Sequence, residues 1–362
     1  MEGVEGMTGL EFYRDKRVLV TGHTGFKGSW LCAVLKAAGA HVSGYSLAPD
    51  ADKPLFESAG IAEGMHSFTG DIRSFEALLS CLRETKPEII FHLAAQPIVR
   101  ESYLFPRETF ETNIMGTVNL LEAVRLTKGV RSFVNVTTDK VYRNTEKKEG
   151  YKEEDALNGW DPYSNSKSCS DLVTQSYRRS FFLEKGPAVS TARAGNVIGG
   201  GDHAKDRIIP DCIRAASKNE TIILRHPESV RPFQHVLEPL AAYLLLAEEQ
   251  WEDKELAGAY NVGPGPEDCI TTGKLADLFC EAWNRENENP LKAARWESCP
   301  DGGPHEASFL MLDSTKIHEV LHFTPKWNIR EAVEKTAEFA RAELAGENPG
   351  GLMNIQIEEY FS

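Results

Sequence analysis

The chain has 362 residues, more than one ordinary domain, so length alone points to about two domains. Apolar residues make up 41% and charged residues 26%, the balance of a globular protein with ample core, while a net charge of −14 excludes a nucleic-acid binder, which needs clustered Lys and Arg. The opening MEGVEGMTGLEF lacks the basic and apolar regions of a signal peptide, and the longest apolar stretch, residues 240–247, is too short to span a bilayer. The expectation is a cytoplasmic protein with neither nucleic acid nor membrane as partner. Seven cysteines (32, 81, 169, 212, 269, 280 and 299) form no CxxC pair, which reads as reduced core thiols with no disulfide framework and no metal site.

Taken in chain order, residues 16–21 (KRVLVT) are a short apolar run between charge and glycine, the pattern of a buried parallel strand. Residues 28–38 read as a helix with Trp30, Leu31, Val34 and Leu35 on one face, stopped by Gly39. Strands follow at 41–47 and 66–69, a helix at 75–86, a strand at 88–94, a helix at 109–128, a strand at 131–137, a helix at 163–183 and a strand at 188–194. This alternation predicts an α/β fold, a Rossmann-type doubly wound parallel sheet. After Asn196 the beat loosens, which predicts a smaller mixed α/β domain. Helix 239–251 and strand 258–262 read as a return to the sheet. The expected division is residues 13–197 with about 234–263 as a dinucleotide-binding domain, and about 198–233 with 264–340 as a nucleotide-sugar-binding domain. Residues 1–12 and 346–362 are expected to be peripheral tails.

The first strand runs into Gly22-His23-Thr24-Gly25-Phe26-Lys27-Gly28 and then a helix. Glycines spaced this way in a first βα turn let a pyrophosphate approach main-chain N–H groups at a helix N-terminus. The acid expected after the second strand, which would hold a ribose hydroxyl, is missing. Ser46 stands near that point, the nearest carboxylate is Asp50, and Lys27 inside the turn offers a charge for a 2′-phosphate. The residues therefore leave NAD and NADP open. Asp71 and Ile72, after Gly70, are candidate adenine contacts, with a helix N-cap as the alternative for Asp71.

Farther on, residues 131–137 end in Thr138-Asp139-Lys140, where an open parallel sheet presents ligands to side chains. Tyr163 and Lys167 lie four apart on the next helix, on one face, where an ammonium favours the phenolate and so a base near neutral pH. These motifs, together with Leu93-Ala94-Ala95-Gln96, Asn113 and Thr137, resemble the extended short-chain dehydrogenase/reductase superfamily. Within it, residues 25–31 (GFKGSWL), 137–142 (TTDKVY), 193–202 (RAGNVIGGGD) and 231–236 (RPFQHV) resemble the CDP-glucose 4,6-dehydratase family, across about residues 12–340.

The resemblance implies NAD held by the glycine turn with Thr24, Phe26, Ser46, Asp71, Ile72, residues 93–96, Asn113, Thr137, Tyr163 and Lys167. It implies CDP-glucose held by Gln96, Arg193, Asn196, Lys205, Arg207, Arg231 and His235, with Arg225 nearby. The sugar would be oxidised at C4, lose water across C5 and C6, and regain hydride at C6. Tyr163 would take the C4 hydroxyl proton, with Thr138 bonded to that oxygen and Lys167 on the nicotinamide ribose. Asp139 would protonate the leaving C6 hydroxyl, which requires a raised pKa. Lys140 stands where related dehydratases place a Glu as the C5 base. It would be either that base or a charge that stabilises the enolate. The resemblance also implies a homodimer or tetramer built on helices 109–128 and 163–183. His203 and Phe233 stand where Trp is commoner in the family. A 4-epimerase, another nucleotide-sugar dehydratase and a non-catalytic dinucleotide sensor are the rival readings. Asp139-Lys140 speaks against the first, and the retained Tyr163 and Lys167 against the last.

Overall fold

The computed structural model describes residues 9–49, 54–285, 292–300 and 307–362. Six strands come first: β1 (Arg17–Thr21), β2 (His41–Ser46), β3 (His66–Thr69), β4 (Ile89–His92), β5 (Ser132–Val136) and β6 (Ala188–Ala194). Short strands follow: β7 (Val197–Ile198), β8 (Ile222–Leu224), β9 (Val230–Pro232), β10 (Gln234–His235), β11 (Ala259–Val262), β12 (Cys269–Thr271) and β13 (Trp296–Ser298). The seven-stranded sheet has the order β11-β6-β5-β4-β1-β2-β3, parallel throughout, as the alternation of elements predicts. Small pairs β10–β7, β12–β9 and β13–β8 lie outside it.

The helices are α1 (Phe26–Ala37), α2 (Leu55–Ser58), α3 (Phe75–Thr85), α4 (Val99–Leu104), α5 (Pro106–Phe110), α6 (Gly116–Leu126) and α7 (Pro162–Tyr177). They continue with α8 (Ile208–Ser217), α9 (Leu237–Glu252), α10 (Thr272–Asn284), α11 (Thr315–Leu321), α12 (Ile329–Leu344) and α13 (Pro349–Phe361). Strand side chains alternate between two cores, because successive Cβ atoms point to opposite faces. Val18, Val20, Phe91 and Val134 meet α1 and α9 on one face. Leu19, Ile90, Phe133 and Val189 meet α3 and α6 on the other. A separate apolar cluster joins α8, α10 and α12 with β8. Phe339 of α12 belongs instead to the first sheet-face core, so this helix bridges both clusters.

Four expectations change. Helix 109–128 is interrupted by a π-helical turn at Glu111–Met115, which aims Asn113 at the loop after β4. A second π-helical turn, Arg178–Phe182, closes α7 early. The stretch 1–12 is not wholly peripheral, since Leu10 is buried and Phe12 packs against the main core. The stretch 346–362 is likewise no loose tail. Helix α13 places Met353, Ile357, Tyr360 and Phe361 in the main core, beside α1, α2 and α12. Tyr360 Oη donates at 2.7 Å to buried Glu238, which also accepts the Lys326 and Trp327 amides. Helix α11 also packs on the sheet side, against α9 and β11.

Deleting residues 349–362 is therefore expected to lower stability by roughly 5 kcal/mol or more, from four apolar side chains at about 1.5–3 kcal/mol each less denatured-state burial. Tyr360→Phe, which removes only the hydroxyl beside a buried carboxylate, should cost about 1–3 kcal/mol. Urea unfolding of both variants checks the ranking; an unchanged midpoint on truncation would contradict the buried role of α13.

Candidate active site

Why the turn after β1 needs glycine is visible in its closeness to neighbouring backbone. Gly22 has φ +74°, and a Cβ there would sit 2.7 Å from the Ala94 nitrogen. A Cβ on Gly28 would sit 2.1 Å from the Gly22 carbonyl oxygen. Helix α1 starts at Gly25 without a side-chain cap, which leaves first-turn N–H groups available to an anion. This cradle fits a dinucleotide pyrophosphate. Thr24 Oγ1 lies 2.9 Å from Ser46 Oγ, and both line a continuous cleft of about 1980 Å³. Asp71, Ile72, Leu93, Ala94 and Ala95 line the same cleft. Asp71 does not cap α3: its carboxylate grips the Arg73 side chain at 2.5–3.0 Å. That contact ties up the cation that lines the cleft beside it. Asp50 lies outside the described residues.

The floor of the cleft gathers Thr137, Thr138, Asp139, Lys140, Tyr163 and Lys167, because β5 ends where α7 begins its course behind it. Asp161 caps α7 by accepting the Ser164 amide, which sets Tyr163 in the first turn. Thr138 Oγ1 donates to Asp139 Oδ1 at 2.9 Å, while Asp139 Oδ2 is buried without a partner. Burial raises the Asp139 pKa against the pull of Lys140, the Thr138 bond and Arg231. Lys167 Nζ donates to the Val136 carbonyl at 3.0 Å, and burial lowers its pKa to about 8 against Asp171.

The phenol of Tyr163 departs from the sequence expectation. Burial pushes it up to about 12, with Asp139 and Asp161 adding to the rise, while the Thr138 hydroxyl and Arg207 pull it down. An ammonium on the same face does not by itself outweigh loss of water.

The far half of the cleft holds more basic than acidic side chains in a chain of net charge −14, although Arg207 pairs with Asp202, Arg225 and Arg100 with Asp206, and Arg214 with Asp211. Asn196, Lys205, Arg207, Arg225 and Arg231 line it, as do Arg100, Arg214, Lys218 and His226, which motif reading missed because they lie outside recognisable patterns. Basic residues clustered in 205–226 of an acidic chain were the available signal.

The comparisons with known proteins follow this geometry. The family model described as GDP-mannose 4,6 dehydratase matches residues 19–336. This protein belongs to the GDP-mannose 4,6-dehydratase family. A CDP-glucose 4,6-dehydratase of Salmonella typhimurium is 42% identical, over 98% of this chain and 99% of its own. A Thermus thermophilus UDP-glucose 4-epimerase solved with NAD is 27% identical, with TM-score 0.76, covering 90% of this chain and 99% of that one. A dTDP-glucose 4,6-dehydratase from Streptomyces venezuelae shares the fold at TM-score 0.76, covering 92% of this chain and 99% of that chain at 24% identity.

Several residues expected to touch ligand in this family member do not line its cleft. Arg193 is buried at 1% exposure, because strand parity turns it from the face of Ala192 and Ala194 towards α7, where it pairs with Asp171 at 2.9 Å. His235 is enclosed between Trp30 and Trp327, with ring centroids at 6.0 and 4.8 Å, and burial lowers its pKa to about 3. Gln96 folds its side chain onto the backbone of Ile98, and Asn113 clamps Gln96 and Ser166 from behind. Both act as supports of the cleft wall.

Lys27 lines the cleft but is not at the ribose end. Its ammonium stands 5.8 Å from the Tyr243 ring centroid. Burial, then Arg207 and Lys167, lowers its pKa to about 7 against Asp139.

Proposed function

We propose that the protein is an NAD-dependent CDP-glucose 4,6-dehydratase, forming CDP-4-keto-6-deoxyglucose. The observation that carries this reading is Asp139: a buried carboxyl with raised pKa, one oxygen on Thr138 and the other unpartnered, on the same cleft floor as Tyr163 and Lys140. A carboxyl that burial makes readier to hold a proton is suited to give it to a departing hydroxyl, which an epimerase has no need to do. The 42% identity over 98% of the chain supports the CDP-glucose substrate, and the excess of basic side chains in the far half of the cleft supports a diphosphate.

In this reading the glycine turn, Thr24, Ser46 and Asp71 hold the dinucleotide. NAD, when bound, supplies a hydride acceptor for C4 of the sugar and a donor for C6. Tyr163 takes the C4 hydroxyl proton, and Thr138 holds that oxygen. Lys167 stays charged beside the C-terminal end of β5 and favours the phenolate. A ketone at C4 makes the C5 proton removable, and Lys140 removes it or stabilises the resulting enolate. Asp139 then gives its proton to the C6 hydroxyl, which leaves as water. Arg207, Arg225, Arg231, Lys205 and Asn196 hold the nucleotide diphosphate. Residues 198–233, with Thr272, Cys299, Ala307 and Leu310, form the sugar-nucleotide side of the cleft.

The assembly is a homodimer or tetramer in the cytoplasm, joined through residues 109–128 and 163–183, where Met115, Leu126, Leu172, Phe181 and Leu183 leave apolar area exposed. Among the described residues no helix is long and apolar enough to cross a membrane.

Purified protein given CDP-glucose and NAD should yield a sugar nucleotide lighter by one water, seen by mass spectrometry, with no net cofactor reduction. Turnover confined to GDP-mannose or dTDP-glucose would overturn the substrate, and a product of unchanged mass would favour epimerisation.

A further inference from the structure

Behind the cleft floor lies an ion pair that the reaction does not touch. Asp171 and Arg193 have 0% and 1% side-chain exposure. Arg193 Nε and Nη2 donate to the two Asp171 oxygens at 2.9 Å each. Such a pair adds little net stability over an apolar filling, so its presence asks for another reason. The surroundings supply one. Asp171 lies one helical turn beyond Lys167, and its Oδ2 also accepts the Thr137 hydroxyl at 3.3 Å. Arg193 Nη1 donates to Tyr142 Oη at 2.8 Å and to the Glu153 carbonyl at 2.9 Å. Tyr142 closes the loop that begins with Thr138 and Asp139, and its hydroxyl donates to Asn261 at 2.6 Å. The pair thus touches the strand end, the helix and the loop that carry the reacting groups, without touching the cleft.

We propose that Asp171 and Arg193 are positioning residues: the carboxylate balances the Lys167 ammonium, and the guanidinium limits that pull while tying α7 to the Thr138–Asp139 loop. The inference rests on Lys167 serving the Tyr163 chemistry described above. Three charged or titratable groups face Lys167. Asp171 on its own helix favours the charged form, and Lys27 of α1 opposes it. His92 of β4 stays neutral, its pKa lowered to about 3 by burial and by Lys167. Around Tyr163 stand Asp139, Asp161 and Arg207, with the buried Tyr243 hydroxyl of α9.

The two partners should therefore act in opposite directions. Asp171→Asn removes the anion and leaves Arg193 facing the ammonium, so Lys167 loses its proton at lower pH. Arg193→Gln leaves Asp171 unbalanced, so the proton is held to higher pH. Each midpoint should move by about one pH unit, the range for a charge one helical turn away, and the double variant should return near the parent. Arg193→Lys keeps the charge without the fork, so the midpoint should stay while kcat falls.

Two readouts separate this inference from the substrate assignment. The ¹³Cε resonance of Lys167, assigned by its loss in Lys167→Arg, titrates without any substrate. The alkaline limb of kcat/KM for CDP-glucose should move with it. Opposite shifts in the resonance with no turnover of CDP-glucose would overturn the substrate and sustain the pair. Shifts of the same sign, no shift, or an Arg193→Lys midpoint as displaced as Arg193→Gln would overturn the pair. If one single variant fails to fold, the other still decides, because its midpoint must move in the stated direction while that of Arg193→Lys stays near the parent and kcat falls.

Discussion

Tyr163→Phe is expected to lower kcat by about 10³-fold with CDP-glucose, the scale of a lost acid–base group. The ring stays packed, since Tyr163 is buried on α7 and only its hydroxyl is removed. Folding should survive, and binding of substrate should be little changed. The pH profile gives a second check. Burial holds the phenol near 12, above the range where a base works well, and Thr138 and Arg207 draw it down. Below that midpoint the unionised phenol dominates, so kcat/KM should rise with pH on the acid side. The alkaline fall should follow Lys167, which loses its charge near 8. A variant retaining more than about a tenth of the parent rate would show that another group takes the C4 proton.

Asp139→Asn and Lys140→Ala should both stop elimination while sparing C4 oxidation, and should differ at C5. In deuterated water Asp139→Asn is expected to exchange the C5 hydrogen without losing water, since only the proton donor for the C6 hydroxyl is gone. Lys140→Ala should lose exchange and elimination together. Product formation should fall by roughly 10²–10⁴-fold in each, measured by mass spectrometry of the sugar nucleotide. Normal turnover by Lys140→Ala would remove it from the mechanism.

Asp139→Asn carries a further sign. A carboxyl whose folded pKa lies above its unfolded value binds its proton more tightly when folded, so its contribution to stability falls as pH rises above the unfolded value. The variant should melt higher than the parent at neutral pH. The gap should close as pH falls through the folded and then the unfolded pKa, where the parent carboxyl is protonated in both states.

Much of this could be read without coordinates where local chemistry dominates. Short apolar runs such as residues 16–21, with helical patterns between them, point to the parallel sheet. Gly22 and Gly28 are set by backbone clearance of a single turn, and Thr138, Asp139, Tyr163 and Lys167 by the strand-end rule and helical spacing. Arg193 shows where such reading fails. Its motif marked it as a ligand residue, yet which face of β6 it takes, and that Asp171 waits there, depends on packing between elements 22 residues apart.

Lys27 and Tyr163 make the same point through electrostatics. Sequence placed a lysine in the cofactor turn and an ammonium near a phenol. Only the fold shows that the Lys27 ammonium lies against Tyr243 with its pKa lowered by burial, and that burial outweighs a nearby charge at Tyr163. Helix α13 adds a third case, since its apolar face carries no partner in the sequence and finds one only in Glu238 and the core beside α1. What the chain determines by itself is therefore the order of elements and the kinds of chemical group at their ends. Burial, charge and the partners of each buried group are decided by tertiary structure, because desolvation depends on everything packed within a few ångströms and not on neighbours along the chain.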